Sequence, residues 1–129
     1  FYVKLLLIFN INWHRISYRY ILSEKFIYEF KNKVNWAQIS IYKNLSENFI
    51  REFQYNVNWD SISAHQKLSE PFIRKFKNKV NWCYISYNQK LSENFIREFQ
   101  DKVDWWYILY YQKISENFFK EFKHKLYDK

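Results

Sequence analysis

The side chains best suited to catalysis or metal binding are three histidines and one cysteine: His14, His65, His124 and Cys83. The histidines have no carboxylate or thiol partners at metal-ligand spacing, and Cys83 has no histidine close to it in sequence. Glycine is absent, which excludes the glycine-rich loops that bind phosphate or dinucleotides. We therefore expect a protein that is not an enzyme, with no catalytic residue, no metal site and no cofactor.

A further set of nucleophilic side chains recurs at a constant interval: Ser17, Ser40, Ser63 and Ser86. Four catalytic serines in one short chain would be without a chemical purpose. We interpret them as small residues at a close contact between helices. Glutamates also recur at fixed positions, and helix capping and surface charge account for them.

The interval belongs to an internal repeat that spans nearly the whole chain. Tryptophan occurs every 23 residues, at positions 13, 36, 59, 82 and 105. Each copy has Asn or Asp before the Trp, Ile three residues after it, and later a Ser-Glu pair followed by two Phe residues. The unit reads V-N-W-x-x-I-S-x-x-Q-x-L-S-E-x-F-I-x-E-F, and five copies follow one another without a gap.

Each repeat carries two signals for the start of a helix. Asn or Asp before Trp is a favoured N-cap, and so is Ser before Glu. We predict a helix A from Trp to the Gln position, for example 36–43, and a helix B after Ser, for example 47–55. The sequence therefore predicts an all-α protein, an α-solenoid of five 23-residue helix-turn-helix repeats in which each short helix is stabilised by neighbouring units. The recurring Trp and Phe residues are predicted to form its core.

The repeat register also predicts the domain organisation, which is a single solenoid domain over 1–129. Residues 12–126 form the five repeats, 127–129 form a tail, and 1–11 match a degenerate helix of a preceding repeat or a cap. A signal-peptide core is the alternative for the apolar start of the chain.

Methionine is absent, so we expect a fragment or a processed chain. One cysteine permits no intrachain disulfide, and an intracellular compartment is the simplest interpretation, either host cytoplasm or virion for a viral protein.

Four positions of helix A differ most between copies, namely the first, second, fifth and sixth residues after Trp, which we call the variable face. They lie opposite the recurring positions of the helix. Aromatic side chains are hot-spot residues in protein interfaces, and they concentrate on the variable face of the last two repeats. We therefore predict a protein partner that binds there. The candidate residues are Tyr84, Tyr87, Trp106, Tyr107, Tyr110 and Tyr111. The alternatives are a solvated face that simply varies, or a face that packs on further protein, including a second copy of the chain.

A net charge of +8 also permits binding to nucleic acid. Two sets of basic residues repeat in register and would follow a phosphate backbone. They are Lys33, Lys79, Lys102 and Lys125 in one set, and Arg51, Arg74, Arg97 and Lys120 in the other. Solvated helix faces are the alternative interpretation, and pairing of Glu52 and Glu98 with nearby basic residues would weaken such a track. No stretch has the length of a membrane span, so no membrane partner is expected.

The repeat, carried most fully by 80–99 and 103–122, resembles short tandem repeats in proteins of mimivirus-like giant viruses. The resemblance covers nearly the whole chain and implies a viral source and a scaffold role, including the alternative of a structural component of a virion or larger assembly. It transfers no catalytic residue. The chain departs from the pattern at Tyr20 and Lys43 in place of Gln, Lys75 in place of Glu, and Leu109 in place of Ser.

Overall fold

The structure is a computed structural model that describes residues 11–128, and within that range it is entirely helical, with no strand. The prediction for 1–11 falls almost wholly outside the described residues. In residues 11–128, ten α-helices alternate between the predicted A and B types and precede a short 3-10 helix at Lys123–Leu126. They are α1 (Trp13–Arg19), α2 (Glu24–Glu29), α3 (Trp36–Tyr42), α4 (Glu47–Glu52), α5 (Trp59–His65), α6 (Glu70–Lys75), α7 (Trp82–Asn88), α8 (Glu93–Glu98), α9 (Trp105–Tyr111) and α10 (Glu116–Phe122). The prediction of a helical repeat fold of the α-solenoid type is confirmed.

Helices begin where the capping residues predict. The Asn81 side chain accepts hydrogen bonds from the backbone N–H groups of the first turn of α7, and Asp104 does the same for α9. Ser92 accepts from Phe95 N at 3.2 Å at the start of α8. Pro71 lies in the first turn of α6, where its missing N–H costs little. Local side-chain chemistry therefore sets the register of both helix types.

Helix B ends earlier than predicted, and the expected range 47–55 is wrong at its C-terminal end. Helix α4 stops at Glu52, and Phe53 leaves the helical region with φ −101° and ψ 29°. The Phe53 carbonyl then accepts from both Asn56 N, at 2.9 Å, and Val57 N, at 3.1 Å. This turn brings Val57 back into the core, where it is 7% exposed. The free energy gained by burying Val57 therefore exceeds that of continuing the helix by another turn.

The two helices of one repeat are joined by an aromatic stack. In the fourth repeat the Trp82 indole lies 4.9 Å from the Phe99 ring, with 32° between the ring planes, and its Nε1–H donates to Lys77 O at 2.9 Å. The second Phe is buried, but the tryptophans are only half-buried. The prediction of tryptophans inside the core is therefore wrong in part. Each indole covers the rim of the core because its N–H must reach a loop carbonyl near the surface.

The centre of each repeat is filled by isoleucines and phenylalanines. Eight isoleucines have no exposed surface: Ile27, Ile39, Ile50, Ile62, Ile73, Ile85, Ile96 and Ile108. The chain divides into two compact units, Phe1–Asn58 and Trp59–Lys129, and each of them stacks consecutive repeats through their A helices. The single-domain organisation stays a prediction. Among the described helices none is long and apolar enough to cross a membrane.

The recurring serines of helix A link one repeat to the next. Ser86 Oγ donates to Trp82 O at 2.7 Å and accepts from Asp104 N, the N-cap of the following helix A, at 2.9 Å. Ser17, Ser40 and Ser63 form the same pair of bonds, and all four serines are fully buried. The serines are therefore buried bridges between repeats, a role more specific than that of the small contact residues expected from the sequence.

The recurring glutamates after Ser also act between repeats. Glu70 accepts from the backbone N–H and the hydroxyl of Ser92, so a side chain of one helix B caps the start of the next. Glu93 contacts Ser115 in the same way, and the hydrogen bonds from Ser115 lower the pKa of Glu93 below its ordinary value. The capping of helix B therefore extends across repeat boundaries, where residues about 22 positions apart complete each cap.

The Gln position at the end of helix A makes a third link, which reaches back to the preceding repeat. Gln89 Nε2 donates to Ser63 O at 2.9 Å and to Gln66 O at 2.7 Å, and Gln89 Oε1 accepts from Leu68 N at 3.0 Å. These carbonyls belong to the C-terminal end of α5, where helical C=O groups lack partners within the helix. Gln112 repeats the arrangement at the end of α7. One buried amide therefore caps the helix of its neighbour.

Lys43 occupies the Gln position in the second repeat. Its buried ammonium donates to Tyr20 O, beyond the C-terminus of α1. A lysine has three donors and no acceptor, so it cannot receive the N–H of Leu22 as glutamine receives that of Leu68. Burial lowers the pKa of Lys43 below its ordinary value because the charged form loses hydration.

We expect Lys43→Gln to stabilise the protein by about 1 kcal/mol at neutral pH, since the amide restores the acceptor and removes a buried charge. The measurement is the midpoint of urea unfolding, followed by circular dichroism. The depressed pKa means that the unfolded chain binds more protons than the folded one just below the ordinary lysine pKa. The stability of the natural chain should therefore rise with pH in that window, and the advantage of the variant should shrink.

Lys67→Gln is the matched control, because it replaces the same side chain by the same amide at an exposed position. It should shift the midpoint by less than about 0.5 kcal/mol. A Lys43→Gln variant no more stable than this control would contradict the assignment of the Gln position as a helix cap between repeats.

Candidate protein-binding surface

The variable face is accessible along the described repeats. None of its side chains in α1, α3, α5, α7 or α9 is buried, whereas the recurring Ser of α1, α3, α5 and α7 and the recurring Ile of α3, α5, α7 and α9 are. Consecutive A helices contact each other within each unit, so their variable positions form neighbouring rows. The prediction that helix A packs through one side and exposes the other is confirmed.

The structure brings five of the six candidate aromatic residues into one ring cluster on α7 and α9. Tyr87 of α7 contacts two rings of α9, Tyr107 at 5.3 Å and Tyr111 at 4.7 Å between centroids, both edge-to-face. Trp106 stacks on Tyr110 at 4.7 Å with 18° between the planes. We call Tyr87, Trp106, Tyr107, Tyr110 and Tyr111 the aromatic cluster. Its rings are held in fixed relative positions although four of them are exposed.

Several rings of the cluster remain exposed although they contact each other. Trp106 is 50% exposed, and Tyr110 is 68% exposed. Burial of a Tyr or Trp side chain releases a large apolar area, and contiguous exposed apolar patches mark interaction sites. Because the rings already pack against each other, little further side-chain entropy is lost on binding. The cluster therefore has the properties of a preorganised contact surface.

Tyr107 lies at the inner edge of the cluster beside Cys83. The charge of the Cys83 thiolate, loss of hydration and the Asp104 carboxylate raise the pKa of Tyr107 above its ordinary value. The phenol is thus neutral at physiological pH and keeps its O–H as a donor. Cys83 is exposed and takes part in this contact rather than in a disulfide.

Two grooves adjoin on the variable face of the second unit. One groove, of about 330 Å³, lies between α5 and α7 and is lined by Asp60, His65, Tyr84 and Tyr87 among others. The other, of about 320 Å³, lies between α7 and α9 and is lined by Tyr87, Lys90, Tyr111 and Lys113 among others. Tyr87 and Asn88 belong to both grooves. Tyr84, the sixth candidate residue, therefore joins the others through the groove that it shares with Tyr87.

In preceding repeats, residues at the positions of Trp106 and Tyr110 contact the next repeat. The residues in the same register include His14, which contacts Asn35 of the next repeat at 3.0 Å, and Asp60, which accepts from Asn81 at 2.9 Å. Tyr87 is the counterpart of Tyr110 and contacts the rings of α9. In α9 the two residues stack on each other instead. They therefore leave an exposed aromatic surface at this edge of α9.

The two basic sets lie on or after helix B, on elements different from those that carry the aromatic cluster. Arg74 forms a bidentate pair with Glu98 of the next repeat, with Nε–Oε1 at 2.9 Å and Nη2–Oε2 at 2.8 Å. Arg97 pairs with Glu121 at 2.6 Å, and Lys120 pairs with Glu116 at 2.7 Å. Arg51 is partly buried and donates to Asn48. The Arg74, Arg97 and Lys120 charges are therefore largely neutralised by neighbouring carboxylates.

The other basic set keeps more of its charge exposed. Lys33 and Lys102 are exposed, and Lys79 and Lys125 are partly exposed. Lys33, Lys79 and Lys102 lie in the turns that follow helix B, where for example Lys102 N donates to Phe99 O at 2.9 Å, and Lys125 lies in the 3-10 helix. The structure therefore places these lysines after helix B, away from the two grooves of the variable face.

Sequence reasoning missed two lysines that do lie at the aromatic cluster. Lys90 and Lys113 follow the Gln position of the fourth and fifth repeats, are exposed, and line the groove between α7 and α9. Their register with Lys67, at 23-residue intervals, was the available signal in the sequence. This register alone does not predict a site, because distance along the chain does not show that the end of helix A adjoins the rings of the next repeat.

Stacked helical pairs with a variable exposed face define the class of helical-repeat proteins. Within residues 11–128, no group of three or more His, Cys, Asp or Glu side chains is arranged to hold a metal ion. Comparison of the chain with protein-family models, with curated proteins and with solved structures finds no match.

Proposed function

We propose that this chain is a non-enzymatic repeat scaffold that binds a protein partner through the variable face of its A helices, with the aromatic cluster as the main contact. The observation that carries the proposal is the exposed ring cluster on α7 and α9, in which Trp106, Tyr110 and Tyr111 are each at least half exposed. Such residues dominate the binding free energy of protein interfaces. The buried links between repeats hold the cluster on rigid elements.

A protein fits this surface better than a nucleic acid. Bases stack on aromatic rings whose faces are free. Here the Trp106 and Tyr110 faces cover each other, and the Tyr87 ring is flanked by Tyr107 and Tyr111. Three members of the basic sets are also engaged in ion pairs with glutamates. The sequence-based alternative of nucleic-acid binding therefore has weaker support.

The proposal includes the biological setting that the sequence suggests. An intracellular scaffold agrees with a single unpaired cysteine. The viral source implied by the resemblance of the repeat, and a role within a larger assembly, are compatible with repeats whose variable faces are accessible.

The test compares affinity capture by the natural chain with capture by Tyr107→Ala/Tyr110→Ala, using lysate of cells that produce the protein and mass spectrometry. We expect at least one protein that is retained by the natural chain at high salt and is reduced about tenfold or more by the double variant. Salt tolerance is expected because apolar contacts, unlike contacts with phosphates, depend weakly on ionic strength.

Tyr127→Ala is the matched control, since Tyr127 is 82% exposed and lies outside the helix A face. It should leave capture unchanged. Equal capture by all three proteins, or capture of nucleic acid alone, would overturn the proposal. Circular dichroism spectra that coincide for the three proteins separate loss of binding from loss of fold.

A further inference from the structure

The partner segment itself can be described, on the basis of the proposed function. We infer that the two grooves of the second unit bind an extended, acidic peptide segment, which crosses α5, α7 and α9 with its apolar side chains against the tyrosines and its carboxylates at Lys90 and Lys113. The inference goes beyond a general protein partner because it specifies the conformation and the charge of the bound segment.

The dimensions of the surface favour an extended chain. Each A helix has seven residues, which gives a length of about 10 Å along its axis. Neighbouring helices pack about 8–10 Å apart, so crossing three of them takes roughly 20 Å, or about six extended residues. The two grooves share Tyr87 and Asn88, so together they offer surface on α5, α7 and α9. A helix would need about 13 residues to span the same distance, because it rises only about 1.5 Å per residue.

The charges of the grooves favour carboxylates. Lys90 and Lys113 are exposed, line the same groove, and form no ion pair within residues 11–128. Among the described residues no Asp or Glu lines this groove, whereas Asp60, which accepts from Asn81, lines the other one. The carboxylates of the bound segment are therefore placed at the two lysines, beside Tyr87 and Tyr111. A peptide with an anionic side chain next to an apolar one would place the anion at a lysine and the apolar group against a tyrosine ring.

Asn88 supplies a group suited to a peptide backbone. Its side chain is exposed and lies where the two grooves join. Its Nδ2 contacts Tyr84 O only at the long distance of 3.3 Å, and its Oδ1 is an acceptor for a peptide N–H. An amide that both donates and accepts recognises the main chain of any extended segment, so specificity falls to the tyrosines and lysines.

A second copy of this chain is a less suitable occupant. The formal charge of +8 makes two copies repel each other, and the two free lysines would then face another basic surface. Single-stranded nucleic acid would satisfy the lysines, but bases could stack only on the outer faces of Trp106 and Tyr110, because the inner faces cover each other. Both are outcomes that the experiment distinguishes.

The experiment selects peptides from a random library of about twelve residues on the immobilised full chain. Peptides that are enriched are then synthesised, and their affinities are measured by fluorescence polarisation. We expect enrichment of Asp or Glu together with apolar residues, tolerance of proline within the motif, and weakening of about tenfold or more by Lys90→Ala/Lys113→Ala and by Tyr87→Ala/Tyr111→Ala. Lys33→Ala/Lys102→Ala removes two exposed lysines elsewhere and should leave the affinity unchanged.

Several results would overturn the inference. They are enrichment without acidic residues, no enrichment at all, loss of binding on introduction of proline, or affinities that Lys90 and Lys113 do not affect. Tighter binding of an oligothymidine through the same lysines would favour nucleic acid, and concentration-dependent self-association that is lost in the tyrosine variant would favour a second copy. If capture of a partner still depends on Tyr107 and Tyr110, the proposed function stands while the acidic-peptide inference fails.

Discussion

Ile85→Ala should destabilise the protein by about 2–5 kcal/mol, the range for truncating a fully buried aliphatic side chain. Ile85 lies in the middle of α7 and has no exposed surface. Its neighbours in sequence are Ser86, which bridges to the next repeat, and Tyr84 on the variable face. The rigid links on both sides of α7 prevent the helix from moving inward to fill the space, so most of the cavity should persist.

The loss should spread beyond one repeat, because short helices depend on their neighbours for stability. Denaturant unfolding followed by circular dichroism measures the effect as a lower midpoint. Ile21→Ala is the matched control: it makes the same chemical change at a residue that is 103% exposed, and it should shift stability by less than about 0.5 kcal/mol. Similar shifts in the two variants would contradict the assignment of the isoleucines as the core.

Gln89→Ala should cost about 2–4 kcal/mol, although the residue is polar. The substitution removes three buried hydrogen bonds, two to Ser63 O and Gln66 O and one from Leu68 N. Each bond contributes about 1 kcal/mol net, and a buried backbone group that is left without its partner adds a desolvation penalty of about 1–3 kcal/mol. A water molecule that enters the vacated space would form some of the lost hydrogen bonds, so the loss of stability should not exceed the upper end of this range.

Gln100→Ala separates this effect from the general effect of truncating a glutamine. The Gln100 side chain is exposed and makes one bond, to Arg97 O at 3.2 Å. Its replacement should therefore be nearly neutral by the same denaturation measurement. Gln89→Glu is a sharper second variant, because a buried carboxylate cannot donate to the two carbonyls and would be destabilising at neutral pH. If neither Gln89 variant changed the stability, the assignment of the Gln89 amide as a link between repeats would be wrong.

The helix starts could be read directly from the residues. Asn before Trp and Ser before Glu fix where each helix begins, because a cap acts on backbone N–H groups two or three positions away. The spacing of Trp, Ile and Ser on one side of helix A likewise identified the packing side, and the variable face is accessible as predicted. The helix B ends were harder, since Phe53 stops α4 in order to return Val57 to the core.

The candidate site was predicted as a set of aromatic residues but not as an arrangement. Nothing in the spacing of Tyr87 and Tyr111 shows that their rings meet edge-to-face, or that Lys90 and Lys113 share a groove with them. The serines illustrate the same limit: their recurrence was evident, but their acceptance of the next repeat's N–H depends on how two helices pack.

Helical secondary structure, the helix starts, the period of 23 residues and the packing side of helix A all follow from the order of the side chains. They depend on interactions within a few residues, which are local in the chain. The pairing of residues from different repeats became evident in the folded chain: Ser86 with Asp104, Gln89 with Leu68, Arg74 with Glu98 and Tyr87 with Tyr111. These contacts join residues about 18–24 positions apart, and their geometry depends on the distance and angle at which neighbouring helices pack.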